Sequence, residues 1–482
     1  MFWRGVVGYL PMNIVQGLVG LFSIVVFTRW LAPADYGVYA LAFSAMSLAH
    51  TLVFAWMEAA MARFYAPEAQ SERLADLFAT LYRCWIVAAA AFVVVAGVVL
   101  LAWPGGGPVK IAVAAGLAAI LARSLAKLSQ ERRRAAGDVK GAALMDIAQT
   151  LGGFAVGAGL IVLGLRGAAP VAGMGAAAAV VLVFVLPAEL RRGAGGAFVR
   201  AKAQAYAAYG MPVALSLVLA LALATTDRFL IAGFLNDAAV GVYHAGYSLA
   251  NRTLDVMFIW LGAAGGPALI VALERGGQGA LEKAAHEQAG FMLALALPAS
   301  VGLALVARPL ADVMVGPALR DGAAAVTPWI AASALFSGLT TYYTHQAFTL
   351  GRRTGLLLFA MSIPAAANVG LNLLLIPRLG LTGAMVATTA SYGLGLAASM
   401  ALGRLARPLP LPWAEALKAG AASLVMAVVV MRVPAFGGAV ELLAKAGAGA
   451  LVYALAAYVF DVGNLRSRSR QAVVILRARM AT

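Results

Sequence analysis

Charge is what this sequence has least of. Asp, Glu, Lys and Arg make up 12% of its 482 residues, about half the share found in soluble globular proteins. So few charged groups cannot clothe a water-facing surface, which excludes an ordinary soluble enzyme. Intrinsic disorder is excluded as well, because it needs low hydrophobicity. Cysteine occurs once, at Cys84, so no intramolecular disulfide and no cysteine-cluster metal site can form. The four histidines, His50, His244, His286 and His345, are scattered without HExxH or HxH spacing, and no metal is expected. Long polar loops are missing too. No connection between apolar segments exceeds about 25 residues, short of the roughly 50 residues a small domain needs. A membrane glycosyltransferase or ligase would have nowhere to carry its catalytic groups, so a transporter without a cofactor is expected rather than an enzyme. Acidic residues are outnumbered 20 to 36 by basic ones, for a net charge of +16. In a soluble chain that excess would suggest nucleic acid. Here it reads as cytoplasmic positive charge beside anionic membrane lipids, with no nucleic-acid partner.

What the sequence does have is apolar length. Hydrophobic residues make up 63% of it, and mean hydropathy is +0.89. A helical crossing needs about 20 such residues. Fourteen segments are long enough: residues 5–28, 36–59, 77–103, 109–129, 141–164, 168–189, 206–233, 238–263, 287–307, 323–347, 353–376, 382–403, 411–432 and 440–460. They are long and continuous, whereas barrel strands would be about ten residues with alternating polarity. The fold class expected is therefore an all-α polytopic membrane protein with about 14 transmembrane helices. The 52 glycines suit helices that pack backbone to backbone. Met1-Phe2-Trp3-Arg4 runs into the first apolar segment with no A-x-A site, which reads as a retained helix rather than a signal peptide.

Basic residues set the orientation. With the N-terminus placed in the cytoplasm, the even-numbered loops and both tails hold 24 of the 36 Lys and Arg residues, and the odd-numbered loops hold eight. That bias puts both termini in the cytoplasm. The densest cluster, Arg123, Lys127, Arg132, Arg133, Arg134 and Lys140, and the tail residues Arg466, Arg468, Arg470, Arg477 and Arg479 read as topological anchors.

The chain also repeats itself. Residues 30–44, WLAPADYGVYALAFS, and residues 234–248, FLNDAAVGVYHAGYS, align at an offset of 204. Leu31, Ala34, Gly37, Val38, Tyr39 and Ser44 match Leu235, Ala238, Gly241, Val242, Tyr243 and Ser248. Six spans separate the copies, an even number. This predicts two pseudo-symmetric six-helix halves in the same orientation, residues 1–192 and 193–405, followed by two extra helices over 406–462 and a basic tail over 463–482. Asp35 and Asp237 are expected to cap the returning helices, with the glycine of each copy serving the turn.

These strings resemble a known family. Arg29-Trp-Leu31-Ala-Pro33-Ala-Asp35-Tyr36-Gly37-Val-Tyr39 resembles the signature that follows the first span of polysaccharide flippases. Asp227-Arg228 with Val240-Gly241-Val-Tyr243 resembles that family's pattern around spans 7 and 8, and Gly380-Leu-Thr-Gly383-Ala384 its start of span 12. With fourteen spans, the chain resembles the Wzx-type polysaccharide transport branch of the multidrug/oligosaccharidyl-lipid/polysaccharide flippase superfamily. The resemblance implies a bacterial inner-membrane protein that moves undecaprenyl-pyrophosphate-linked oligosaccharide between leaflets for surface polysaccharide biosynthesis. It also implies membrane lipids, a polysaccharide polymerase and glycosyltransferases as partners. A multidrug antiporter or a peptidoglycan-precursor transporter of the same superfamily is the alternative; the two extra helices argue against the antiporter.

Polar residues inside apolar spans are costly, so they mark candidate sites. Arg252 lies near the middle of span 8 with Asp255 one turn on, close enough to pair. Asp227 and Arg228 sit in span 7; Arg63 and Arg83 lie near membrane ends, where long side chains can snorkel. Asn13 and Gln16 in span 1, Tyr342, His345 and Gln346 in span 10, and Asn368 and Asn372 in span 11 have spacings that let each set face one cavity. These are the substrate candidates, since guanidinium binds phosphate bidentately and amides and phenols suit sugars. Asp146, Asp255 and Glu58 are the ion-coupling candidates, because a buried carboxylate can change charge with access.

Overall fold

In lipid only a helix satisfies its own backbone within one segment, and the apolar runs fold accordingly. The computed structural model describes residues 2–103 and 107–466, with side chains from residue 11 onward apart from 263 and 264. Arg468, Arg470, Arg477 and Arg479 lie outside the described residues. Among the described residues there is no strand. The helices are α1 (Phe2–Trp30), α2 (Pro33–Val53), α3 (Ala55–Gln70), α4 (Leu74–Ala102), α5 (Pro108–Ala135), α6 (Val139–Val162), α7 (Ala169–Gly193) and α8 (Arg200–Phe234). They continue as α9 (Asp237–Leu305), α10 (Ala307–Met314), α11 (Pro317–Leu339), α12 (Gln346–Leu350), α13 (Thr354–Leu379), α14 (Leu381–Ala406), α15 (Trp413–Arg432) and α16 (Gly438–Val459). Among the described residues thirteen helical segments are long and apolar enough to cross a membrane. One of them, α9, has 69 residues, about 100 Å at 1.5 Å per residue. That is enough for two crossings, and Gly277 (φ 65°) interrupts it. The expected all-α, roughly fourteen-span architecture is therefore present.

The chain forms two compact units, residues 1–244 and 245–482. In the first, α7 packs on α5 and α6, α2 on α5 and α8, α1 on α6, and α3 on α8. Its core holds Phe54, Met57, Met61, Leu77, Leu81, Ile120 and Tyr206. The outer face of α4 is the reverse of a soluble surface: Val94 is 66% exposed and Leu101 85%, as lipid contact requires. In the second unit α14 packs on α11 and α13, and α15 pairs with α16. Gly380 (φ 60°) makes the turn between α13 and α14.

The repeated motif holds α2 against the start of α9. A Cβ on Gly37 would collide with the Asp237 carbonyl, and one on Gly241 with the Pro33 carbonyl. Pro33 and Asp237 are themselves 204 residues apart, so each copy touches the other reciprocally, as a local two-fold axis requires. Close helix approach, rather than a turn, is thus the reason for both glycines. The expected caps are also corrected. The α2 N-terminus has no side-chain cap and begins with Pro33, whose missing N–H removes a donor needing one. In α9 the residue before the helix does the work: Asn236 Oδ1 accepts from Ala239 N at 2.9 Å. The second span is broken at Phe54, between α2 and α3.

Candidate functional site

In the first unit the polar candidates converge on α5. Asp146 is buried at 5% exposure on α6. It accepts a hydrogen bond from Gln16 Nε2 of α1 and another from Gln130 Nε2 of α5 at 3.0 Å. A substrate candidate and a coupling candidate are thereby brought together. Asn13, one turn before Gln16, is exposed. Glu58 on α3 lies 2.9 Å from His50 Nε2 on α2, without the alignment of a hydrogen bond. It bridges the break at Phe54. Beside it Ser47, His50 and Thr51 of α2, Arg123 and Lys127 of α5 and Leu221 of α8 line a cavity of about 250 Å³. Arg63 and Arg83 are exposed and join neither group.

Asp227 and Arg228 bond to residues of the repeat. Asp227 is fully buried; it accepts from the Tyr243 hydroxyl at 2.5 Å and from the Arg228 backbone N–H at 2.8 Å. Arg228 Nη1 donates to Ser44 Oγ at 3.2 Å. Both Tyr243 and Ser44 are motif residues. The network ties α8 to α2 and to the start of α9, a locking arrangement for buried charge.

Ion pairs, one buried and one half-buried, also cross-link the ends of these helices. Arg132 (4% exposed) meets Glu189 (2%) at 2.8 Å, and Glu189 also accepts from Tyr82 at 2.6 Å and Ser129 at 3.0 Å. Lys202 reaches Glu68 at 2.7 Å. Arg132 therefore joins α5 to α7; it does not simply anchor a loop. Near the same end, the exposed Asp138 caps α6 by accepting from Gly141 N at 2.9 Å. That backbone bond, with Arg133 beside it, holds its carboxyl below the usual carboxylate range.

In the second unit the expected Arg252–Asp255 pair is not made. Asp255 accepts from Asn251 Nδ2 at 2.6 Å, whose position four residues back puts it on the same face of the helix. Arg252 is exposed. Tyr342 stacks on Phe258, with centroids 6.1 Å apart and planes 5° apart. It lies in a π-helical turn, Thr340–Thr344, where His345 N reaches back five residues to the Thr340 carbonyl at 2.9 Å. Such turns occur frequently at functional sites. Gln288 Nε2 donates to the Tyr342 carbonyl at 3.3 Å. His345 meets Phe348 edge-on, with its Nε2 buried and unbonded; Gln346 follows it on α12. Asn368 and Asn372 are fully buried and bond each other, Asn372 Nδ2 to Asn368 Oδ1 at 3.1 Å.

Sequence reasoning had passed over His50, Lys127 and Gln130 as site residues and had read Arg123 as an interfacial anchor. A signal for three of the four was present: Arg123, Lys127 and Gln130 fall at i, i+4 and i+7, one face of α5. His50 carried no such signal, because its partnership with Glu58 depends on the break at Phe54.

A family profile described as polysaccharide biosynthesis protein matches residues 26–321. No curated protein matches the sequence. Among solved structures, the lipid II flippase MurJ in an inward closed conformation superposes with a TM-score of 0.75 at 14% identity, over 94% of this chain and 98% of that one. An inward-facing multidrug resistance MATE family transporter of the MOP superfamily gives 0.63 at 13%, over 81% and 94%. A MOP superfamily transporter from Pyrococcus furiosus gives 0.52 at 16%, over 83% and 92%. At these identities the likeness is one of fold.

Proposed function

Because the chain belongs to the polysaccharide biosynthesis protein family, we propose that it is a flippase for undecaprenyl-pyrophosphate-linked oligosaccharide in the bacterial inner membrane, with both termini cytoplasmic. It is a multi-pass membrane protein with a flippase-type fold shared with MurJ and MATE transporters. The observation that carries the reading is the interior of the first unit. Asp146 is buried among helices that face lipid, yet it is hydrogen-bonded from α1 and α5. A carboxylate kept at that cost argues for function rather than packing. Alternating access would carry the substrate between the leaflets. Glycosyltransferases would supply the substrate and a polymerase would receive it.

Arg252 is the substrate contact proposed in the second unit. A charge at mid-depth costs on the order of 3 kcal/mol even on the mild insertion scale. Among the described residues Arg252 makes no ion pair, so its guanidinium donors are available to a phosphate. Leaflet-resolved transfer of labelled lipid-linked oligosaccharide in vesicles tests this. Arg252→Ala should abolish transfer while the protein still inserts, and Arg252→Lys should keep part of it, since the bidentate fork is lost. An active Ala variant would remove Arg252 from the mechanism. A second reading, a lipid II flippase like MurJ, is favoured by the extent of that fold match. Supplying lipid II in the same vesicles separates the two.

A further inference from the structure

We propose that residues 407–412 form a stiff latch that fastens α15 and α16 to two irregular points of the second unit, the π-turn and the Gly277 break. The latch does not depend on which substrate the chain carries. The connection from α14 to α15 reads Arg407-Pro408-Leu409-Pro410-Leu411-Pro412. Proline fixes its own φ and keeps the residue before it out of the helical region. Alternate prolines therefore end α14 at Ala406 and leave residues 407–412 without helical structure. A proline-rich connection is a semi-rigid spacer, whereas a glycine-rich one is a flexible coil. A displacement at one end of such a spacer is passed to the other.

The linker is anchored at two points. Its carbonyls outnumber its N–H groups, so they are satisfied from outside. Tyr343 of the π-turn, buried at 4% exposure, donates from its hydroxyl to the Pro410 carbonyl, 67 positions away. Arg407 Nη1 donates to Gln278 Oε1 at 3.0 Å, 129 positions away. Gln278 follows Gly277 directly, and its Nε2 donates in turn to Glu282 at 2.9 Å. Leu409 and Leu411 line a crevice of about 20 Å³ with Thr344, Ala347 and Gly403. The backbones beside it are close: a Cβ on Gly351 would stand 2.9 Å from the Ala406 carbonyl carbon. Helices bend at π-turns, and Gly277 departs from helical φ/ψ. The latch thus grips the second unit where its helices are interrupted. Another tie, from the Tyr453 hydroxyl of α16 to the Ala294 carbonyl at 2.6 Å, reaches α9 away from both points and provides a comparison.

The test is hydrogen–deuterium exchange of the purified full-length protein in detergent, read by mass spectrometry over residues 275–282, 341–350 and 413–418. Tyr343→Phe should speed exchange at 341–350 and at 413–418 about fivefold, the effect of one neutral hydrogen bond. Arg407→Gln should do the same at 275–282 and 413–418. Pro408→Gly combined with Pro410→Gly keeps the carbonyl at position 410 and removes only stiffness; it should speed exchange at 413–418 about threefold. Tyr453→Phe should leave 341–350 and 275–282 unchanged. Thermal melts identify a variant that fails to fold. Pro408 is exposed and Pro410 half-buried, so the glycine variant then carries the comparison. If 413–418 exchanges at the wild-type rate in Tyr343→Phe and in the glycine variant, α15 is not coupled to the π-turn and the latch is wrong. If Tyr453→Phe speeds all three segments as much as Tyr343→Phe does, the change is a general loosening, and that too overturns the latch.

Discussion

In residues 1–244, beside local pairs such as Arg134 with Glu131, two ion pairs join helices far apart in sequence: Arg132 meets Glu189 57 positions away, and Lys202 meets Glu68 134 positions away. Among the described residues of 245–482 the ion pairs span at most 13 positions. Lys445 meets Glu441 four positions back, Lys418 meets Glu415 three back, and Arg308 reaches Asp321 13 positions on. Distant helices there are tied by neutral groups instead: Tyr453 hydroxyl to the Ala294 carbonyl at 2.6 Å, Ser300 to the Ala331 carbonyl at 2.7 Å, and Gln288 to the π-turn carbonyl of Tyr342. Neutral bonds between membrane helices contribute roughly 0.6 kcal/mol each, up to about 1.7, whereas breaking a buried ion pair costs about 3–5 kcal/mol. The first unit is therefore cross-linked by charge. The second is tied between distant helices largely by weaker, neutral links.

The largest effect that comparison predicts is at Glu189. Glu189→Ala leaves Arg132 buried without its partner and should destabilise the protein by about 3–5 kcal/mol, read by chemical unfolding in detergent. Replacing both members by apolar residues, Arg132→Met with Glu189→Leu, should recover most of that loss. A single variant as stable as wild type would end the claim that charge cross-links this unit. Tyr453→Phe, the corresponding cut in the second unit, removes one neutral bond and should cost about 1 kcal/mol. A loss as large as that of Glu189→Ala would erase the difference between the units.

The smallest effect is at Asp138, in the first unit but not part of a buried pair. Its carboxyl is held below the ordinary range when folded, so its contribution is complete above the unfolded value. It is lost as pH falls through the lowered folded one. Asp138→Ala should cost about 1 kcal/mol as a lost helix cap, and Asp138→Asn should retain most of it while abolishing its share of the acid dependence. An Asn variant with an unchanged acid limb would show that the dependence comes from other carboxylates.

The fold was legible because lipid imposes a length rule: a run such as 77–103 has one outcome, and α4 follows it. The repeat was legible in Gly37 and Gly241, although their reason, backbone contact between α2 and α9, is a tertiary fact that the sequence does not state. Single polar residues were legible as exceptions within apolar spans, and Asp146 and Gln16 were both visible in that way. Their partnership was not, because it joins α6 to α1 across 130 positions. The Arg252–Asp255 expectation failed for a local reason: Asn251, four residues before Asp255, was the better placed donor. His50 was invisible because a helix break, not a spacing, brings it to Glu58.

The most direct test of the account is leaflet-resolved transfer. The purified chain is reconstituted into vesicles carrying fluorescent undecaprenyl-pyrophosphate-linked oligosaccharide, and the label accessible to an impermeant quencher is followed in time. The account predicts protein-dependent exchange of label between leaflets, lost in Arg252→Ala. Exchange no faster than in protein-free vesicles, with the protein folded and oriented, would contradict it.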